Sequence, residues 1–326
     1  MDLLSLLKNT NAYRTIKGDK ENGRLSHAYL FVTQDGDKLG DYLKIFAKMI
    51  FCKDGYPCGK CRECSLIESN GLTDLIFYPQ ESQTVGTEEI NSLIEESYLK
   101  PIEGDKKVFV ISHAETMTAP AQNKLLKTLE EPPKGVHIIL GATSEHPLLS
   151  TIKSRVKKIE IPLFDKDALY QAMQEDFPDR QKLVQAIACG DGTVGKVERN
   201  YFDEDLKKIT DVAVDTLLNM KSSKDVLEFS NKILALKVDL VDFLSVLELL
   251  LRDLLVVVEK KDELLFNREL AEQLVKAERF NRGAVIHALE AVTEAFMRKK
   301  ANATPTMLIE WLLFQILEGK FKWQKL

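Results

Sequence analysis

Tyr29-Leu30-Phe31-Val32-Thr33-Gln34-Asp35-Gly36-Asp37-Lys38-Leu39-Gly40-Asp41 runs from an apolar stretch through a glycine-bearing turn into a helical pattern. A phosphate-binding loop occupies this place in an α/β fold: it follows the first core strand, opens the next helix, and offers glycine amides, a lysine and a Ser/Thr for magnesium. Thr33 and Gly36 keep the place, but Leu39 and Gly40 stand where Lys and Ser/Thr are required, and Lys38 is one residue out of register. Asp35, Asp37 and Asp41 repel a triphosphate instead of cradling it. No ATP is expected on this loop.

Outward from that stretch, short β-rich runs alternate with helical ones. Tyr29 to Thr33, Leu75 to Tyr78, Val108 to Ser112, Val136 to Gly141 and Lys157 to Ile161 read as strands, and the rhythm predicts a parallel sheet covered on both faces. A working ATPase should end the run Lys107-Val108-Phe109-Val110-Ile111 in a magnesium-holding Asp and a water-activating Glu. It ends in Ser112-His113-Ala114-Glu115, and Glu115 is expected in the first turn of the following helix, where an acid suits the dipole.

Beyond Pro162 no convincing strand remains. Apolar spacing predicts helices at Asp165 to Glu175, Asp179 to Ala188, Asp205 to Met220, Val238 to Lys260, Asn267 to Phe280, Arg282 to Lys299 and Pro305 to Leu317. The glycine-rich Cys189-Gly190-Asp191-Gly192-Thr193-Val194-Gly195 stops one helix before another begins. The expected division is an α/β domain over 1–162, a small helical unit over 163–205 and an all-α domain over 206–326. Leu240, Phe243, Leu244, Leu247, Leu250, Leu251 and Leu254 cover more than one face of a helix and need burial on several sides, which contacts to other subunits or the core of this domain would provide.

Four of the five cysteines cluster as Cys52, Cys58, Cys61 and Cys64, spaced C-x5-C-x2-C-x2-C. Four thiolates converging in a short turn-rich loop suit the tetrahedral demand of a structural zinc ion, and a closed four-cysteine shell leaves no position for substrate. Disulfides suit small secreted domains better than this chain, and a redox-active pair needs two cysteines, not four. Lys53, Lys60 and Arg62 read as a solvated loop, and Cys189 as a buried helix residue.

The chain has 326 residues, 44% hydrophobic and 29% charged, the usage of an ordinary folded protein. With 45 Lys plus Arg against 50 Asp plus Glu, the net charge of −5 lacks the basic excess of a protein that holds DNA by its own phosphate contacts. The first residues do not read as a secretory signal, and charges interrupt the apolar run from Leu240 to Val258, so a cytoplasmic protein without a membrane span is expected.

Ala121-Gln122-Asn123-Lys124-Leu125-Leu126-Lys127-Thr128-Leu129-Glu130-Glu131-Pro132-Pro133, then Ala142-Thr143-Ser144 and Leu149-Ser150-Thr151-Ile152-Lys153-Ser154-Arg155, resembles the clamp-loader branch of the AAA+ proteins. With the cysteine module and the altered phosphate loop, the whole chain resembles the delta-prime family of bacterial DNA polymerase III. That resemblance implies a RecA-like AAA+ domain, a small lid and a helical collar. It also implies a non-catalytic stator that sits in a ring with gamma/tau ATPase subunits and a delta subunit and loads a sliding clamp onto primed DNA. By position, Ser154-Arg155 matches the family's serine-arginine-cysteine motif, which implies that Arg155 acts as an arginine finger in a neighbour's ATP site; Val156 replaces the cysteine. Thr143 falls at the sensor-1 position, and Gly195 where active relatives carry a sensor-2 arginine. The chief alternative is a divergent ATPase of the gamma/tau type, disfavoured by Leu39, Gly40, Ser112, His113 and Gly195. A zinc-dependent nucleic-acid binder is disfavoured by the acidic net charge.

Overall fold

The computed structural model describes residues 2–79, 84–259 and 280–322. The chain divides into two compact units, one of residues 1–173 with 192–195 and one of residues 174–191 with 196–326.

The first unit is built on five parallel strands: β1 (Ala28–Val32), β2 (Leu75–Tyr78), β3 (Lys107–Ile111), β4 (Val136–Ala142) and β5 (Lys157–Glu160). Their order is β2-β3-β4-β1-β5, with Leu30 opposite Leu140 and Phe109 opposite Ile138. Each strand lies within a residue of its expected bounds; β1, β3 and β4 are buried on both faces and so apolar along almost their whole length, whereas β5 exposes Lys157, Lys158 and Glu160.

Alternation decides which helices cover which face. Ala28, Leu30, Phe109, Ile138 and Leu140 point into a core with Ile90 and Leu93 of α5 (Thr87–Ser97) and Leu125 and Leu129 of α6 (Ala119–Glu130). The intervening Phe31 stacks on Phe46 of α3 (Leu39–Phe51), ring centroids 4.1 Å apart. Two helices precede the sheet, α1 (Leu3–Lys8) and α2 (Asn11–Glu21), and α4 (Arg62–Glu68) follows the cysteine loop. Thr118 caps α6 by accepting a bond from the Ala121 amide, and Pro132 and Pro133 forbid its continuation. Two short helices complete this unit, α7 (Ser150–Lys153) and α8 (Lys166–Met173).

The second unit is helical among its described residues: α9 (Arg180–Ala188), most of α10 (Val194–Phe202), α11 (Asp205–Asn219), α12 (Ser223–Ala235), α13 (Leu240–Val258), α14 (Arg282–Lys300) and α15 (Pro305–Lys322). The helix expected at Asn267 to Phe280 lies outside the described residues except for Phe280 itself. Leu240, Phe243, Leu244, Leu247, Leu250, Leu251 and Leu254 are all buried within this chain. These residues therefore follow the intradomain-core alternative: α13 packs against α9, α11 and α14, which cover its apolar faces. No helix among the described residues is long and apolar enough to cross a membrane.

Candidate functional site

Helix α3 carries a candidate site at each end. At its N-terminus lies the turn from β1, where the Thr33 hydroxyl accepts from the Asp35 amide at 3.2 Å. Asp35 is only 4% exposed, and a buried carboxylate must be paired. Its oxygens accept from the Val194 amide at 2.8 Å, the Gly195 amide at 3.2 Å and the Tyr42 hydroxyl at 2.9 Å. Val194 and Gly195 are the first residues of α10, whose unsatisfied amides form an anion seat. An internal carboxylate fills that seat. A Cβ on Gly195 would stand 2.5 Å from Asp37 Cβ and 2.7 Å from Asp35 Oδ1, so no arginine can be built at this position.

Leu39 is fully buried, while Lys38 lies 3.6 Å from Asp41 Oδ2 across one helical turn. Glu115 departs from expectation. It sits in a single 3-10 turn, Ala114–Thr116, ahead of α6, and its Oε1 accepts from the Thr143 hydroxyl at 2.7 Å and amide at 3.1 Å. Tying down the end of β4 outweighs the pull of the α6 dipole. Thr143 is thus a strand-end hydroxyl, and His113 Nδ1 lies 3.4 Å from the same Glu115 oxygen.

At the C-terminal end of α3, Cys52 is the capping residue, and Cys61 caps the start of α4 with its sulfur accepting from the Cys64 amide at 3.4 Å. The four Sγ atoms of Cys52, Cys58, Cys61 and Cys64 all lie within 4.8 Å of one another, with Cys58–Cys64 at 4.0 Å and Cys61–Cys52 at 3.9 Å. Zn–S bonds of about 2.3 Å set tetrahedral S···S edges of about 3.8 Å, so these thiols fit zinc, whereas a disulfide needs contact at about 2 Å. Gly59, at φ +69°, makes the turn between the paired cysteines.

Amide bonds from Lys60 and Cys61 hold the Cys58 thiol down to about 7. Desolvation pushes Cys61 and Cys64 up, a cost that the positive charge of a bound metal ion would offset. Lys53 lies 3.7 Å from Glu63, and Arg62 pairs with Glu103 at 2.6 Å.

Two groups that the sequence reading missed flank this cluster. Lys20 of α2 donates to the carbonyls of Met49, Ile50 and Cys52, and Lys106 donates to Ile50 O at 3.1 Å. Burial and the neighbouring Lys106 ammonium lower the pKa of Lys20, while the thiols of Cys52, Cys64 and Cys61 pull it upward. Nothing in the local sequence marks either lysine; only the fold brings them to the end of α3.

Arg155 follows α7, where Ser154 is the capping residue. The guanidinium donates to Thr151 O at 3.0 Å and Ser154 Oγ at 3.2 Å, and it pairs with Glu130 at the end of α6 at 2.5 Å. Val156 is buried in the sheet core, consistent with a packing role at that position. Cys189 is buried one residue past the end of α9.

Comparison with known proteins agrees with the reading from residues. The family model for the DNA polymerase III delta subunit matches residues 8–165. DNA polymerase III subunit delta' of Bacillus subtilis is 30% identical over 308 residues, 92% of this chain and 93% of that protein. DNA polymerase III subunit tau/gamma of Haemophilus influenzae is 33% identical over 186 residues, covering 54% of this chain and 27% of that one. Among solved structures, a DNA polymerase III gamma subunit-related protein from Thermotoga maritima is 18% identical, covers 95% of this chain and 100% of its own, and superposes with a TM-score of 0.42. On the strength of the end-to-end match in B. subtilis, this chain belongs to the delta-prime family of DNA polymerase III subunits.

Proposed function

We propose that this chain is the non-catalytic stator of a cytoplasmic clamp loader. It joins gamma/tau ATPase subunits and a delta subunit in a ring that places a sliding clamp on primed DNA, and it lends Arg155 to the ATP site of a neighbouring motor. The three-part division at 162/163 and 205/206, into RecA-like domain, lid and collar, belongs to the same reading, as does a structural zinc ion on Cys52, Cys58, Cys61 and Cys64. DNA and clamp are reached through the assembled ring, because the net charge of −5 does not favour independent DNA binding.

The observation that carries the reading is the seat of Asp35. Its carboxylate satisfies the α10 amides, and Gly195 beside it leaves no space for a sensor arginine. An anionic triphosphate would have to displace a buried, fully bonded acid. Leu39 and Gly40 add no lysine or magnesium-binding hydroxyl to reward it. Arg155, by contrast, keeps its charge at a partly exposed corner, where a guanidinium delivered in trans neutralises charge on a transferred phosphoryl group.

The alternative, a divergent gamma/tau-type ATPase, draws on the H. influenzae likeness but must work without these groups. The test is a ring rebuilt with Arg155→Ala. It assembles normally, and with clamp and DNA present the motor site facing the substitution loses on the order of 10³ in rate. An unchanged rate rejects the finger.

A further inference from the structure

We propose that Lys20, with Lys106 beside it, positions Cys52 as a zinc ligand and balances the charge of the four-thiolate centre; this rests on the zinc reading above. A zinc ion with four thiolates carries two net negative charges. Of the nearer cations in sequence, Lys53 is 85% exposed and faces Glu63, Arg62 is committed to Glu103, and Lys60 is exposed to solvent. Lys20 and Lys106 bring two ammonium groups to the same helix end from remote parts of the chain.

The geometry is specific to Cys52. Helix α3 stops at Phe51, and Cys52 turns into extended backbone at φ −60°, ψ 125°, which swings its side chain out of the helical row. The last carbonyls of a helix lack partners. Lys20 spans this break: its donors go to Met49 O at 2.6 Å and Ile50 O at 3.3 Å inside the helix and to Cys52 O beyond it. The ligand's own peptide is thereby fixed against the end of α3. Lys106 takes the second lone pair of Ile50. Two ammonium groups crowded on one helix end repel each other, and the half-charge of a helix terminus offsets only part of that. An anionic metal centre one residue away offsets the rest, and outer groups of this kind commonly change metal affinity by roughly 10–100-fold.

A plain helix cap would act on stability alone, and the same molecule supplies the control. In the second unit Lys320 donates to Leu217 O at 2.7 Å and Met220 O at 3.2 Å at the end of α11, away from any cysteine cluster. The experiment uses the full chain loaded with zinc, challenged with a chelator and followed by a colorimetric zinc assay, alongside absorption spectra of the cobalt-substituted protein.

Lys20→Met should release zinc roughly 10–100-fold faster and shift the cobalt–thiolate bands. Lys20→Arg should restore part of the retention, and Lys320→Met should lower stability while leaving zinc release unchanged. Zinc retention in Lys20→Met equal to wild type overturns the proposal. So does equal loss in Lys320→Met, which would make the effect one of global stability. If Lys20→Met does not fold, Lys106→Met carries the test: faster release is expected, and an unchanged rate overturns the charge-balancing role. Wild-type protein that binds no zinc at all would instead defeat the zinc reading itself.

Discussion

One helix of thirteen residues, Leu39–Phe51, ends in two opposite chemical fates. At its N-terminal side, where an α/β fold of this kind would receive a phosphate, the chain supplies its own acid: Asp35 is buried on the amides of Val194 and Gly195. At its C-terminal side, four thiols converge and two lysines donate to the last carbonyls of the helix. The first end is met by internal pairing, and the second gathers four thiols at the spacing of a metal's ligands. One electrostatic rule acts beside both ends: the free amides that begin α10 are met by Asp35, and the carbonyls that end α3 by Lys20 and Lys106.

The largest effect should come from breaking the metal end. The double variant Cys58→Ser/Cys61→Ser should lose all bound zinc, with a stability loss whose upper bound is on the order of 10 kcal/mol. Metal content and thermal unfolding measure it, and full zinc occupancy in that variant would contradict the four-cysteine assignment. At the closed end, Asp35→Ala strands the Val194 and Gly195 amides and the Tyr42 hydroxyl. Urea unfolding should show a loss of about 2–4 kcal/mol, and a change below about 0.5 kcal/mol would mean that the carboxylate is not the keystone of that turn.

Two glycines then sharpen the comparison within that same end. Gly195→Ala should cost about 1–3 kcal/mol because its Cβ would crowd Asp35 and Asp37, whereas Gly40→Ala meets nothing within 4 Å and should be neutral or stabilising by up to about 1 kcal/mol. Equal costs at the two positions would remove the steric account of Gly195.

The smallest effect concerns His137 on β4, whose Nδ1 lies 2.8 Å from Ser26 O. Burial, with Lys106 adding to it, lowers its pKa. Below the unfolded value of about 6.5 the unfolded chain therefore takes up a proton that the folded chain resists. The stability involved is complete above that pH and is lost as pH falls through the folded value. Unfolding measured between pH 7 and 5 should show the slope, and His137→Gln should flatten it.

How legible each end was from the residues follows from the range of its contacts. The sheet was readable because parallel strands such as Val108–Ile111 are apolar on both faces, and the convergence of the four cysteines because a C-x2-C turn is local. The missing lysine and Ser/Thr of the phosphate loop were readable too. What replaces them was not, since Asp35 meets Val194 across more than 150 residues and looked like mere repulsion. Lys20 and Lys106 went unread, since their carbonyl partners lie roughly 30 and 56 residues away in sequence. The leucines of α13 read as interface or core, and neighbouring helices of this chain bury them. Glu115 obeyed a strand end, not the helix dipole.

The central claim is that this chain acts in a clamp loader without a working nucleotide site of its own. Steady-state ATP turnover by the purified full-length chain, measured with magnesium and repeated on Lys38→Ala, tests it most directly. The account predicts no turnover above the buffer in either protein; turnover in the unaltered chain that Lys38→Ala abolishes would contradict it.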